Sequence, residues 1–201
     1  MYRCPKADYL ASMSPPLPLI PLRDVALLPG TTAELLVGRT GTLAALERAG
    51  SGLLVFAQQK RATQATPRAL QDLNPQACTG RVLEHWTTAS GQQKVRVEGI
   101  SRVSVASLLP QLILLTARVN RAPALLDSDA AEAAMATYAM WSENLGLVQH
   151  CQKPSDAVYR LAHNLGDRLS TTGVLACPDL SEILVEVLER LDTRSGVAWV
   201  H

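Results

Sequence analysis

The sequence predicts an α+β protein in which a strand-rich part is followed by a helical part. Between about residues 17 and 120, apolar residues come in short runs or alternate with polar ones, which is typical of strands. From residue 127 onwards they recur every three or four positions, which is typical of helices that face a core. We therefore expect a flexible tail over 1–14, a β domain over 15–122 and a helical subdomain over 126–201.

The composition is that of a globular protein, with 47% hydrophobic and 18% charged residues among 201. A net charge of +1 gives no general attraction to nucleic acid or to an anionic membrane. The four cysteines are far apart and form no CxxC pair, so we expect reduced thiols in a cytoplasmic protein. No apolar run reaches the ~20 residues that span a bilayer, and no apolar stretch near the start is typical of a signal peptide.

The first predicted strand opens at Leu17 and is interrupted by two prolines. Proline cannot donate to a β-ladder, so Pro18 and Pro21 predict an edge position or irregular pairing. Pro29 and Gly30 then predict a turn.

The next elements alternate between strand and helix. A second strand is predicted at Leu35–Val37, and a helix at Thr40–Ala49 that ends at Gly50. A short buried strand follows at 53–57. Residues 58–76 show little periodicity, which predicts a mobile or functional loop with about one helical turn after Pro67.

Two long strands form the predicted hairpin. They cover 77–86 and 92–106, and a turn-rich tip at 87–91 joins them. Four valines of the second strand share one parity, Val95, Val97, Val103 and Val105, and Ile100 breaks this alternation directly after Gly99. A bulge or bend is therefore expected there.

A last strand is predicted over 112–120, and three short helices follow it. The first has capping-box spacing at Asp129–Glu132, the second opens at Pro154, and the third has cap spacing at Asp179–Glu182. Short loops between the three predict a compact helical subdomain.

Motifs that carry chemistry are missing from the sequence. It holds no phosphate-binding loop, nucleophile elbow or HExxH helix, and its four histidines have no ligand spacing, so we expect no catalytic residue, metal or cofactor. Glu84 and Glu98 lie on the two arms of the predicted hairpin. A solvated sheet face, paired with Arg81, Arg96 and Arg102, is favoured over an acid/base pair.

Several ordered motifs resemble the N-terminal substrate-recognition domain of Lon proteases. They are the opening string Leu17–Asp24, the Pro29-Gly30 turn, the strand end Val37–Arg39, the helix core Ala45–Glu47 and the hairpin string Lys94–Val103. Residues 127 to about 192 resemble the helical segment that follows in Lon chains. Leu28 departs from the pattern, because the family usually has an aromatic residue before Pro-Gly.

The resemblance implies a PUA-like β-barrel of about six strands with one helix, followed by a small three-helix subdomain. It implies a non-catalytic domain of a Lon-type ATP-dependent protease that recognises unfolded or damaged polypeptides, with the ATPase and Ser-Lys protease modules absent. The alternative is a free-standing Lon-domain adaptor or regulator that binds another protein. RNA binding, which PUA-like folds can perform, is disfavoured by the near-neutral charge.

The hypothesised substrate patch consists of Leu27, Leu28, Trp86 and the 58–76 loop, because these residues are predicted at turns and rims. Trp86 beside the hairpin tip is either a packing anchor or a contact for another polypeptide. The residues predicted to hold the fold together are those of the family motifs: Arg23, Asp24, Pro29, Gly30, Arg39, Glu98, Gly99 and Arg102.

Overall fold

The computed structural model describes residues 15–63, 65–144, 151–166 and 169–195, so the predicted tail over 1–14 lies outside the described residues. The described chain is α+β, as predicted, with a mixed six-stranded sheet followed by helices. The strands are β1 Leu17–Leu22, β2 Thr32–Val37, β3 Leu54–Gln59, β4 Leu73–Thr87, β5 Gln93–Pro110 and β6 Leu115–Arg121. A ten-residue helix, α1 Thr40–Ala49, connects β2 to β3.

The sheet closes on itself through its longest strand. The strand order is β2-β5-β4-β3-β1-β6, and β5 also pairs with β6. Five strands therefore form a ring, and β2 lies outside it, attached to the first part of β5. This first part, Gln93–Glu98, thus forms a three-stranded layer with β2 and β4.

The two prolines of β1 do not place it at a sheet edge, so that alternative of the prediction is wrong. β1 lies between β3 and β6. Its pairing is irregular instead: Leu17 and Pro18 pair with β6, whereas residues 19–22 pair in parallel with β3. Each part of β1 thus pairs with a neighbouring strand on one side and not on the other. Both prolines are tolerated because a strand paired on one side does not need every backbone N–H for its ladder.

The predicted hairpin and its bulge are confirmed. In the β4–β5 ladder Thr79 pairs with Ser101 and Gly80 pairs with Gly99, so Ile100 is the additional residue. The one helical turn predicted after Pro67 is a 3₁₀ turn at Leu70–Asp72. The last strand begins at Leu115 and not at residue 112, because residues 111–114 form the turn after β5.

Four helices follow in the described residues, where the sequence predicts three. They are α2 Ser128–Asn144, α3 Pro154–Asn164, α4 Thr171–Ala176 and α5 Leu180–Ser195. The sequence misses α4 because six residues are too short for a helical period to stand out. The helical spacing of the sequence also predicts Leu145 and Val148 on the apolar face of the first helix, and both residues lie outside the described ranges.

The caps of α2 and α5 lie close to the predicted positions. The side chain of Asp127, and not that of Asp129, accepts the Ala130 N–H at 2.8 Å at the start of α2. At α5 the predicted Asp179 accepts the Ser181 N–H at 2.8 Å. Both carboxylates satisfy N–H groups that have no partner within their own helices.

The helices pack on the barrel through the segment between β1 and β2. Ala26 and Leu28 belong to the same buried cluster as residues of α2, α3 and α5. Arg102 on β5 connects the two parts from the other side, because its guanidinium donates to carbonyl oxygens near α4. The acceptors are Leu175 at 2.7 Å, Ala122 at 2.9 Å and Ala176 at 3.1 Å.

Candidate functional site

The three-stranded layer of β2, β5 and β4 carries an outward surface that we call the hairpin face. It is defined by Glu34 and Leu36 of β2, Arg81, Glu84 and Trp86 of β4, and Lys94, Arg96 and Glu98 of β5. The register places these side chains in rows that cross the strands: Leu36, Lys94 and Trp86 form one row, and Glu34, Arg96 and Glu84 form the next. The side chains of one row are therefore neighbours.

The charges of the hairpin face pair with one another. Arg81 contacts Glu98 at 2.8 Å, and Arg96 contacts both Glu84 at 3.3 Å and Glu34 at 3.5 Å. Lys94 lies 3.6 Å from Glu34. The interpretation of these carboxylates as a solvated, paired face and not as an acid/base pair is thus confirmed.

Arg102 is the exception to that interpretation. It was predicted on the same face but is only 9% exposed and bonds to the carbonyl oxygens near α4. The helical part covers the outer side of β5 beyond the bulge, so a residue of the polar parity is buried there. No carboxylate pairs with it in the described residues.

An apolar end of the hairpin face is open to solvent. Leu36 is 66% exposed. Trp86 is half-buried, and the Arg96 guanidinium lies 5.9 Å from the centroid of its ring, within the range of a cation–π contact. Trp86 therefore fits both alternatives that the sequence left open, a packing anchor and a contact for another polypeptide. It packs against Arg96, and part of its ring remains exposed to solvent.

The opposite side of the same layer forms a shallow apolar groove under α1. Leu43 and Leu46 of α1 line it, together with Val82 and His85 of β4 and Val95 of β5. Leucine and valine side chains that remain partly exposed there belong to the core cluster of the barrel. The layer thus presents apolar side chains on both of its faces.

Leu27 and Leu28 do not belong to an exposed patch, so this part of the prediction is wrong. Their side chains are 3% and 0% exposed. Leu27 packs in the barrel core, and Leu28 packs against the helices. The predicted position at a rim fails because the helical part covers the segment after β1.

The 58–76 loop is shorter than predicted, because β3 extends to Gln59 and β4 begins at Leu73. Its end is fixed by Asp72, whose carboxylate accepts the backbone N–H groups of Arg68 and Ala69 at 2.8 and 3.0 Å. Most of the described loop residues are exposed, so the loop and Trp86 remain predicted members of the patch, and Leu36 is a further exposed apolar side chain on the hairpin face.

The family-motif residues occupy different environments. Pro29 is buried, and Gly30 and Gly99 form close backbone contacts. Arg23 and Asp24 are exposed, and neither side chain makes a hydrogen bond or ion pair within the described part of the chain. A role for these two in holding the fold together has no support in their contacts.

Arg39 and Glu98 make polar contacts at the surface. Arg39 donates from Nη1 to the Gln59 side-chain oxygen at 2.9 Å, and its partial burial, together with nearby Arg23, lowers its pKa. Glu98 accepts from Arg81, as described above. These contacts are compatible with structural roles.

Leu36 and Arg160 are the residues that sequence reasoning missed. A signal for Leu36 was present, because Ala33, Leu35 and Val37 share the inward parity of β2 and leave the leucine between them on the outside. Arg160, which connects α3 to Gly30, carries no such signal because its partner is a backbone oxygen 130 positions away.

The described residues hold no group of three or more His, Cys, Asp or Glu side chains that could bind a metal ion. Over the same ranges, none of the helices combines the length and apolar character that crossing a bilayer requires. The exposed groups of the hairpin face are ion-paired carboxylates, cations and apolar side chains. Such a surface is suited to contact another molecule.

The sequence signature of the ATP-dependent protease La (LON) substrate-binding domain matches residues 16–195. The chain belongs to the Lon substrate-binding domain family. The Lon protease of Xanthomonas oryzae pv. oryzae is 37% identical to it over 97 residues, which are 47% of this chain and 11% of that protein. Lon protease 1 of Myxococcus xanthus is 32% identical over 100 residues, 46% of this chain and 12% of that protein.

Solved structures of Lon N-terminal domains share the fold. The N-terminal domain of the Mycobacterium avium complex Lon protease aligns over 90% of this chain and 100% of its own, with a TM-score of 0.67 and 18% identity. A Lon N-terminal domain protein from Xanthomonas campestris aligns over 88% and 98%, with a TM-score of 0.58 and 19% identity. The chain thus corresponds to the N-terminal domain of Lon proteases, and its alignments span about a tenth of the length of the curated relatives it matches.

Proposed function

We propose that this Lon substrate-binding domain captures exposed apolar segments of unfolded or damaged polypeptides on the hairpin face, without catalysis of its own. The observation that carries the proposal is the exposure of Leu36 in the same row as half-buried Trp86, with Lys94 between them, on a surface whose charges pair with one another. Exposed apolar side chains among charges that are already paired favour contact with apolar segments, with little preference for sequence.

Binding by one domain should be weak. Burying ~400 Å² of apolar surface would gain on the order of 10 kcal/mol. Immobilising a flexible substrate removes most of that gain. Several domains held in one assembly would raise the overall affinity through avidity.

We further propose that the domain acts as an adaptor for proteolysis in protein quality control. The family match takes up residues 16–195, and no ATPase or Ser-Lys protease motif was found in the 201 residues. Degradation of a captured substrate would then depend on Lon-type modules outside these residues. Recovery of a Lon-type protease with the tagged chain from its native cell supports this role, whereas recovery of unrelated partners alone contradicts it.

Substrate capture is tested by following the backbone amide signals of the isotope-labelled chain. The probe is reduced, carboxymethylated α-lactalbumin, which stays unfolded in buffer. We expect shifts on β2 and near Trp86, and weaker binding by Leu36→Ser. The matched control is Leu112→Ser, which removes an equally apolar and fully exposed side chain from the turn between β5 and β6. Equal weakening by both variants, or shifts confined to other surfaces, would refute the assignment.

A further inference from the structure

The strand β2 has an open edge. It pairs with β5 along its whole length, and with no other strand in the described ranges. Its inward-facing residues Ala33 and Leu35 are only half-buried, whereas Val95 and Val97, their partners on β5, are at most 1% exposed. The side of β2 that points away from β5 is therefore accessible.

Within the described ranges, the backbone of β2 has hydrogen-bonding groups at that edge that pair with no other strand. The Gly99 N–H donates to the Thr31 carbonyl oxygen at 2.9 Å, so the backbone of residue 31 faces β5. Backbone direction alternates along a strand, so residues 33, 35 and 37 also face β5, and the N–H groups of Glu34 and Leu36 face the open side. These groups are available to another extended chain.

Glu34 is the one charged residue of β2, and the other features that usually protect an edge strand are missing from it. Its six residues, TAELLV, contain no proline or lysine, and its register with β5 runs from residue 32 to residue 37 without a bulge. The strand is thus regular enough to template a further strand of about the same length.

The surroundings of the edge specify the chemistry of the occupant. On the outward side, Glu34 is already paired with Lys94 and Arg96, so a charged partner side chain finds no unpaired counter-charge there. Leu36 is the exposed apolar contact on that side. On the inward side, Leu35 packs in the same cluster as the α1 leucines. Both faces of β2 therefore offer apolar contacts and no unpaired charge, which suits an uncharged segment with apolar residues.

We propose that the open edge of β2 binds an extended, uncharged and largely apolar segment of an unfolded polypeptide as an additional β-strand. This inference rests on the proposed function and specifies its binding mode. Main-chain hydrogen bonds would supply affinity independent of sequence, and the flanking apolar side chains would select against charged segments.

The test compares Glu34→Pro with Glu34→Ala. Both variants remove the same ion pairs, but only proline removes the N–H that faces the open edge while keeping the β2–β5 bonds. We expect Glu34→Pro to bind reduced, carboxymethylated α-lactalbumin at least about tenfold more weakly than Glu34→Ala. If circular dichroism shows that both variants are folded and they bind with equal affinity, the inference is overturned.

A second measurement uses the unaltered chain, so it does not depend on the folding of a variant. The probe is a peptide of alternating valine and threonine, compared with the same peptide carrying N-methyl groups on alternate amides. We expect binding of the first peptide and loss of binding with the second, and equal binding of both overturns strand addition.

The oligomeric state of the wild-type chain provides a further outcome. If the wild type forms a dimer and Glu34→Pro is a monomer, the edge of β2 binds a second copy of this chain, which also overturns the inference. If the wild-type chain does not bind unfolded α-lactalbumin at all, the proposed function itself is refuted. If the wild type binds and Glu34→Pro binds as well as Glu34→Ala, only strand addition at β2 is refuted.

Discussion

Arg160 on α3 donates a hydrogen bond from its Nε to the carbonyl oxygen of Gly30, 2.8 Å away. The Gly30 N–H in turn donates to the carbonyl oxygen of Gly99 at 2.9 Å. The turn after Pro29 is thus held by the barrel on one side and by a helix on the other. Gly30 has a φ of +72°, and a Cβ there would lie 2.9 Å from the Cβ of Asp156, so glycine is required for two independent reasons.

The Arg160 contact should stabilise the junction between barrel and helices. Its Nη1 also donates to the Tyr138 hydroxyl at 3.0 Å, and its guanidinium lies 5.7 Å from the centroid of that ring. We expect Arg160→Met to lower the free energy of unfolding by about 2 kcal/mol and Tyr138→Phe by about 1 kcal/mol. Urea denaturation of both single variants and the double variant should show that the double loss is smaller than the sum. Simple additivity would show that the two side chains are not coupled.

Tyr159 differs from Tyr138 in the hydrogen bonding of its hydroxyl. It is 2% exposed, and its hydroxyl has no hydrogen-bond partner among the described residues. Burial raises the pKa of Tyr159 to about 12, because the phenolate cannot be solvated there. We therefore expect Tyr159→Phe to leave the free energy of unfolding unchanged or to raise it by up to about 1 kcal/mol. A loss as large as that of Tyr138→Phe would indicate a partner for this hydroxyl, such as a buried water.

Gly99 is required by space and not by backbone conformation. A Cβ on it would lie 2.1 Å from the carbonyl oxygen of Leu28 and 3.1 Å from the Cys78 sulfur, both in the interior. We expect Gly99→Ala to lower the free energy of unfolding by about 3 kcal/mol, measured by thermal or urea denaturation. Gly38→Ala is the control, because a Cβ there meets nothing within 4 Å and should change stability by about 0.5 kcal/mol or less. Similar losses for both variants would contradict the role of this contact.

Local patterns predicted the elements of this fold because each is encoded within a few residues. The helix that ends at Gly50 is an example: the glycine adopts a φ of +54° and its N–H donates to the Leu46 carbonyl oxygen at 3.0 Å. The bulge at Ile100 was likewise visible, because an interrupted alternation has a direct backbone consequence. Ring closure through β5 and β6 leaves no such local trace, and only the resemblance to the Lon family predicted a barrel.

Contacts between the barrel and the helices explain the errors at the candidate site. Leu28 was placed at an exposed rim because the residues around it form a turn, but the helical part packs over that turn. Arg102 was placed on the solvated face because of its parity, but α4 covers that part of β5. Both errors concern residues whose partners are distant in the sequence. Leu36, by contrast, was identifiable from the alternation of β2 alone.

The buried Arg102 should be one of the more sensitive positions in the molecule. It donates to three carbonyl oxygens that belong to the α4 end and to the segment after β6. Arg102→Met would leave these oxygens without their donors, so we expect a loss of about 3 kcal/mol in the free energy of unfolding. The control is Arg121→Met, an exposed arginine at the end of β6, with an expected change of about 0.5 kcal/mol or less. If both variants lost the same small amount, the guanidinium contacts would not stabilise the fold.

The cap of α2 should make stability depend on pH through Asp127. The Ala130 N–H, with a contribution from the Ser181 hydroxyl, holds the pKa of the Asp127 carboxyl below its usual range. A carboxyl whose pKa is lower in the folded state stabilises the fold above its unfolded pKa of about 4, and this contribution is lost as pH falls through the folded value. Asp127→Asn keeps a side-chain oxygen for the Ala130 N–H but cannot be protonated. Its free energy of unfolding should therefore fall less than that of wild type between pH 6 and pH 3, as measured by urea denaturation across that range. Asp129→Asn is the control, because it makes the same change of charge two residues later and does not alter the bond to the Ala130 N–H. If Asp129→Asn reduced the pH dependence of the free energy of unfolding as much as Asp127→Asn does, net charge and not the cap would cause that dependence.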